Sequence, residues 1–203
     1  MSARRIALID YGAGNLPSVE RAFRRLGANT MRVTAPQELA GAAAIVLPGV
    51  GHFAALSRAV VAQRLIEPLQ EVLARGVPFL GICLGMQALY ESSEEAPSEP
   101  GLGFLPGTVF RLPRDVKLPH MGWNELKRTG SSALLGPETE SARFYFAHSY
   151  AVPVGRKATA VCDHGVEFAA IVEDERRFGV QFHPEKSGEA GLSILRRFLE
   201  AVP

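Results

Sequence analysis

Cysteine is nearly absent from this chain of 203 residues, and the two that occur, Cys83 and Cys162, stand far apart. Two cysteines cannot build a disulfide framework, and neither lies in a CxxC pair or in a Cys/His cluster with zinc-ligand spacing. Each must be explained singly, as chemistry or as packing. An excess of charge of one sign is also missing, since 22 lysines and arginines face 21 aspartates and glutamates with no basic block among them. That argues against nucleic acid or an anionic membrane as the partner and leaves small molecules and proteins. Long apolar runs are missing too. The first, Ile6-Ala-Leu-Ile9, is too short for a signal-peptide core or a membrane span, so a cytoplasmic protein is expected. Lysine is scarce, at Lys117, Lys127, Lys157 and Lys186 only, and arginine carries the rest of the positive charge.

What is present is apolar sequence, 47% of the chain, enough for one substantial core in the size range of a single domain over 1–203. Apolar runs of strand length alternate with helical patterns in the first half, which is the signature of βαβ units on a parallel sheet. Strands are expected over 5–10, 43–47 and 77–82, and helices over 16–26 and 53–74. Residues 91–103, rich in Glu, Ser, Pro and Gly, read as a solvated loop. Strands are then expected over 108–112, 144–152, 159–162, 168–173 and 177–182, with a closing helix over 190–199. The fold class is α/β, with a mostly parallel central sheet flanked by helices and antiparallel hairpins in the second half.

The chemistry begins at Pro78-Phe-Leu-Gly81-Ile-Cys83-Leu-Gly85, where an apolar strand runs straight into a helix with Cys at the turn and Gly two residues to either side. This is the pattern of a nucleophile elbow, a turn so tight that a side chain at either flanking position would collide. A thiol there sits over a helix N-terminus, which favours negative charge, and the N–H of Leu84 can serve an oxyanion hole. Cys162 ends a strand in Ala160-Val-Cys-Asp-His and reads as packing.

A nucleophilic Cys needs an imidazole to move its proton, and the imidazole needs a carboxylate to fix its tautomer. Of five histidines only His183 has a carboxylate two residues on, Glu185, in Gly179-Val-Gln-Phe-His183-Pro-Glu185. In an extended segment residues i and i+2 face one side, so both would turn toward one site. His52, His120, His148 and His164 read as structural or peripheral.

These motifs together resemble the triad class of glutamine amidotransferases, marked by a Gly-x-Cys-x-Gly elbow and a distal His-Pro-Glu. Leu47-Pro-Gly-Val-Gly-His-Phe53 is similar to the family's oxyanion loop. The resemblance extends to the glutaminase subunits of imidazole glycerol phosphate synthase through Asp10-Tyr-Gly-Ala-Gly-Asn15, Pro119-His-Met-Gly-Trp-Asn124 and Phe144-Tyr-Phe-Ala-His-Ser-Tyr150. It implies Cys83, His183 and Glu185 as the catalytic triad, and Val50, Gly51, Leu84 and Gln87 as oxyanion and substrate contacts. It also implies glutamine as the substrate and a (β/α)₈-barrel cyclase as the partner in a heterodimer, contacted through Asn15 and Trp123. No cofactor and no metal is expected. Glutaminase service to another amidotransferase, a stand-alone cysteine hydrolase of γ-glutamyl compounds, and a binding protein with a dead triad are the readings it competes with.

Overall fold

The computed structural model describes residues 5–202. In chain order the elements are β1 (Arg5–Ile9), α1 (Leu16–Arg25), β2 (Asn29–Val33), β3 (Ala44–Gly49), α2 (Phe53–Ala62), α3 (Ile66–Ala74), β4 (Phe79–Cys83) and α4 (Leu84–Gln87). There follow β5 (Tyr90–Ser93), β6 (Leu105–Arg111), β7 (His120–Glu125), β8 (Lys127–Arg128), β9 (Arg143–His148), β10 (Tyr150–Ala151), β11 (Ala158–Asp163), β12 (Glu167–Asp174), β13 (Arg177–Val180) and α5 (Gly188–Glu200).

An eight-stranded sheet in the order β2-β1-β3-β4-β13-β12-β11-β8 forms the centre. From β2 to β13 the neighbours are parallel, and β12, β11 and β8 extend the sheet antiparallel. Successive residues of a strand point to opposite faces, and β1 shows the consequence. Ile6 and Leu8 join one apolar cluster with α1 and α5 residues such as Phe23 and Phe198. Ala7 and Ile9 join the other, with α2 and α3 residues such as Phe53 and Leu69. A strand covered on both faces must be apolar throughout, and β3 and β4 are buried at every position. Two smaller units lie beside the main sheet: β10-β6-β5, and an antiparallel ribbon of β7 and β9.

Several expected elements differ in detail. The helix expected over 53–74 is two helices, because Arg64 takes a left-handed φ of 55° between them. Pro68 could not have donated to the carbonyl of residue 64, so a continuous helix would have lost a bond there in any case. The strand expected over 144–152 divides at Ser149 into β9 and β10, which belong to different sheets. β2 was not expected: it lies at the sheet edge, mostly half exposed, and carries no apolar run. β5 occupies the first part of the segment read as loop, and β7 forms where no strand is expected.

Candidate active site

β4 sits between β3 and β13 and delivers Cys83 at its C-terminal end, where Cys83 lies level with Gly49 of β3. The chain must turn there into α4 within one residue, and Cys83 absorbs the turn with φ 53° and ψ −108°. Such a conformation is costly for any residue with a Cβ and persists only where the surroundings enforce it. They do so through glycine. A Cβ on Gly85 would overlap the carbonyl of Leu47, one on Gly81 would overlap the backbone of Gly85, and one on Gly49 would come within 2.6 Å of the Gly85 nitrogen. The helix that follows is one turn long, Leu84–Gln87, so its dipole is a smaller source of positive charge at the sulfur than a full helix would supply. Leu84 occupies its first position, where the backbone N–H has no partner inside the helix.

β13 runs parallel beside β4 in register from Phe79 to Ile82. The strand stops at Val180, short of the expected 182, and the next three residues carry the chain past Cys83 to His183. The backbone of His183 is held from both sides: its N–H donates to the Tyr145 carbonyl at 2.8 Å, and its carbonyl accepts from Ser187 Oγ at 2.6 Å. Residues Pro184–Lys186 form a 3-10 turn, so the i, i+2 geometry of an extended segment is not what joins His183 to Glu185. The turn itself swings Glu185 back, and His183 Nδ1 lies 2.9 Å from Glu185 Oε1. Both side chains are almost fully buried. Glu185 Oε2 has no partner among the described residues, so the imidazole is the main answer to that carboxylate's charge. Burial works against protonation of His183, but the Cys83 sulfur, as charge and hydrogen-bond partner, and then Glu185 outweigh it and raise the imidazole above its ordinary range. The geometry sets an imidazole that holds its proton strongly beside the sulfur.

A cavity of about 170 Å³ opens over the sulfur, and Val50, Gly51, Leu84, Gln87, Glu95, His148, Tyr150 and Lys186 are among its walls. It gathers the expected triad's Cys83 and His183 with all four expected oxyanion and substrate residues. Two of those four differ from their expected surroundings. The Val50 N–H donates to the Tyr11 hydroxyl at 3.1 Å, and the same hydroxyl donates back to the Val50 carbonyl at 3.2 Å, so this amide is engaged away from the sulfur. Gln87 is buried, and its Nε2 donates to the Tyr150 carbonyl at 2.7 Å and to Gln181 Oε1 at 3.2 Å. Both its protons are used, which leaves only its carbonyl oxygen for a substrate.

His148, read from the sequence as peripheral, lines the cavity. Its Nδ1 is 2.9 Å from the Tyr150 carbonyl, which can only accept, so Nδ1 carries the proton and Nε2 accepts from His120 Nδ1 at 3.1 Å. Burial, then the neighbouring histidines, push His148 down to about 3 and His120 down to about 4. Both are neutral near neutral pH, the opposite of His183. Glu95 also lines the cavity: it stands in the acidic, Ser-rich stretch read as solvated loop, where composition hides one cavity carboxylate among several. Its Oε2 accepts from the Phe53 N–H at 2.8 Å, which holds it at the cavity wall.

The two residues expected to meet a partner lie elsewhere on the surface. Asn15 precedes α1, half-buried and without a side-chain capping bond. Trp123 is 54% exposed on β7 and packs edge-on against Tyr145 of β9 with ring centroids 6.0 Å apart. Lys186, from the cavity wall, lies over the Tyr145 ring, 5.6 Å from its centre. Met121 is also exposed and pairs with Ala147 of the cavity wall, so the ribbon's outer face is apolar at the cavity end and closes at the other end with the Glu125–Arg143 ion pair.

Solved structures resemble the whole chain. A structure described as a glutamine amidotransferase superposes with a TM-score of 0.78 at 20% identity, covering 97% of this chain and 98% of that one. The structure of PurLQS from Thermotoga maritima gives 0.77 at 19% identity, covering 99% and 100%. At these identities the likeness concerns the fold. Sequence relatives are nearer. The imidazole glycerol phosphate synthase subunit HisH of Methanothermobacter thermautotrophicus is 49% identical, covering 97% of this chain and 98% of that protein. The subunit of the same name from Xylella fastidiosa is 50% identical, covering 96% of each. The family Glutamine amidotransferase class-I matches residues 7–202. The chain belongs to the class I glutamine amidotransferases.

Proposed function

We propose that this protein is the glutaminase subunit of an imidazole glycerol phosphate synthase, and that 1–203 works as one glutamine amidotransferase domain in the cytoplasm. The observation that carries the chemistry is the strained Cys83 elbow with the buried His183–Glu185 pair beside it, at the floor of a cavity with amide groups on its walls. Glutamine lies with its side-chain amide over Cys83, and Glu95 offers a carboxylate to its α-ammonium. The sulfur anion attacks the amide carbon, and the carbonyl electron pair moves to oxygen. The Leu84 N–H and an N–H from Val50 or Gly51 stabilise that oxyanion. The tetrahedral intermediate collapses as His183 gives its proton to the leaving nitrogen, releasing ammonia and leaving a γ-glutamyl thioester on Cys83. Water then attacks the thioester with His183 as base, glutamate leaves, and the sulfur returns to its starting state. Glu185 holds the ring and its charge throughout.

Ammonia in neutral water is mostly protonated and no longer nucleophilic, so its release to solvent would waste the reaction. The partner is a cyclase subunit of the (β/α)₈-barrel type, which joins ammonia to a phosphorylated ribulosyl-formimino nucleotide and yields imidazole glycerol phosphate and an aminoimidazole carboxamide ribotide. Its docking surface is the exposed Trp123–Met121 face beside the cavity mouth together with Asn15, because an exposed aromatic residue next to a reactive site suits an interface anchor. The Val50 N–H, tied to Tyr11, is the donor that docking and nucleotide binding would release by rearranging the Gly49–Gly51 loop. The test is glutamate production by the chain alone, with cyclase, and with cyclase plus its nucleotide. Rates rising in that order support the proposal. Equal rates in all three would remove partner dependence and the loop switch together.

A further inference from the structure

One side chain touches the nucleophile without belonging to the triad. Gln181 is fully buried, sits two residues before His183, and places its Nε2 3.6 Å from Cys83 Sγ. It does not line the cavity, so it has no access to a substrate except through the sulfur.

Which end of its amide faces the sulfur is fixed by a chain of donors and acceptors that starts at the backbone. The Tyr150 carbonyl can only accept, and it accepts from Gln87 Nε2 at 2.7 Å. Gln87 must therefore present its NH₂ group inward, and the second proton of that group goes to Gln181 Oε1 at 3.2 Å. With its oxygen taken, Gln181 has its NH₂ group left to turn toward Cys83. The order of groups, from peptide carbonyl to Gln87 to Gln181 to sulfur, leaves no equally satisfied arrangement with either amide reversed.

We propose that Gln181 is a further functional residue of the glutaminase reaction, an N–H donor that stabilises and aims the Cys83 sulfur anion alongside His183. The proposal rests on the reading of Cys83 as the nucleophile. A hydrogen bond to an anion is stronger than one to a neutral group, and thioester sulfur is a poor acceptor. The donor thus favours the attacking form of the sulfur. It also restrains the Sγ position from a fully buried side chain. His183 supplies and removes the proton, and Gln181 has no proton to exchange, so the two groups are not substitutes for each other.

Two variants separate this role from packing. Gln181→Glu keeps the shape and keeps an oxygen for Gln87, but replaces the donor with a group that donates only while protonated. Gln181→Met keeps most of the volume and has no donor at all. Each is compared with the parent in its melting temperature, in glutamine turnover with the cyclase and nucleotide present, and in the rate of Cys83 alkylation by iodoacetamide across pH. The expected loss is about tenfold in kcat for Gln181→Met, the size of one charge-assisted hydrogen bond, with KM for glutamine changed less than about twofold. Alkylation of Cys83 in Gln181→Met should slow by a similar factor near neutral pH. In Gln181→Glu, alkylation should approach the parent's rate in acid and fall below it as the pH rises and the new carboxyl ionises beside the sulfur.

Parent-like alkylation at every pH in both variants would overturn the proposal. So would a raised KM with unchanged kcat, which would make Gln181 a support for the substrate site instead. If one variant does not fold, the other carries the test, since each alone predicts slower alkylation near neutral pH. The alkylation arm needs no glutamine and no partner. Failure of the glutaminase reading, seen as no glutamate release by the parent, is thus distinguishable from failure of the Gln181 proposal.

Discussion

Cys83 and Cys162 lie in strands of one sheet, β4 and β11, and both sulfurs are buried in the same apolar cluster, 5% and 2% exposed. Burial therefore does not tell the proposed nucleophile from a packing residue. Backbone and partners do. Cys83 has a left-handed φ, glycines that let the turn close, an imidazole to trade protons with and an amide on its sulfur. Cys162 lies within an extended strand opposite Phe168, and its thiol donates only a long bond to the Asp163 carbonyl at 3.9 Å. Burial first, and the Asp163 charge second, push its thiol up to about 12. The same side chain is made reactive or inert by whether the fold surrounds its anion with donors or with hydrocarbon and negative charge.

The largest expected effect comes from making the first site resemble the second in chemistry. Cys83→Ser should lower glutamine hydrolysis by at least about a thousandfold while leaving the melting temperature near that of the parent. A folded variant with parent-like turnover would remove the triad account. Next comes direct labelling. With iodoacetamide at neutral pH, peptide mapping should find Cys83 alkylated at least about a hundredfold faster than Cys162, and in denaturant the two should label alike. The sign follows from Cys162's raised value: its thiol stays protonated near neutrality, and labelling begins only as the pH climbs toward that value. Equal labelling of the folded protein would collapse the contrast.

Smaller effects sharpen it. Glu185→Gln should reduce kcat by about tenfold to a hundredfold, because an amide oxygen still accepts from His183 Nδ1 while the charge that sustains the imidazolium is gone. A loss as large as that of Cys83→Ser would mean that Glu185 does more than hold the ring. Cys162→Ala should cost about 1 kcal/mol of stability in a denaturant titration, the price of a small core deletion, and leave kcat within about twofold. A strong loss of turnover there would show that the second cysteine is not merely packed.

The contrast was partly legible in the sequence, and the limit has a physical cause. Gly81 and Gly85 betray the elbow because a backbone that tight admits no side chain, and His183-Pro-Glu185 betrays the proposed base because tripeptide spacing survives folding. The parallel strands were legible as continuous apolar runs. Gln181, Tyr11, Glu95 and His148 were not, because each acts through a contact between distant parts of the chain. Tyr11 meets Val50 across 39 positions, and Gln181 meets Cys83 across 98. Nothing local marks a Gln beside a sulfur. The way Glu185 reaches His183 was misjudged for the reverse reason: Pro184 is compatible with both an extended segment and the first position of a 3-10 turn, and the surrounding packing chose the turn.

The account's central claim is that Cys83 carries the glutamyl group during hydrolysis. The direct measurement is to mix the protein with cyclase, nucleotide and glutamine, quench in acid during steady turnover, and determine by peptide mass spectrometry which residue holds a γ-glutamyl group. The account predicts one such group on the peptide containing Cys83, absent after Cys83→Ser and never on the peptide containing Cys162. Steady glutamate release with the label on another residue, or undiminished release by Cys83→Ser, would contradict it.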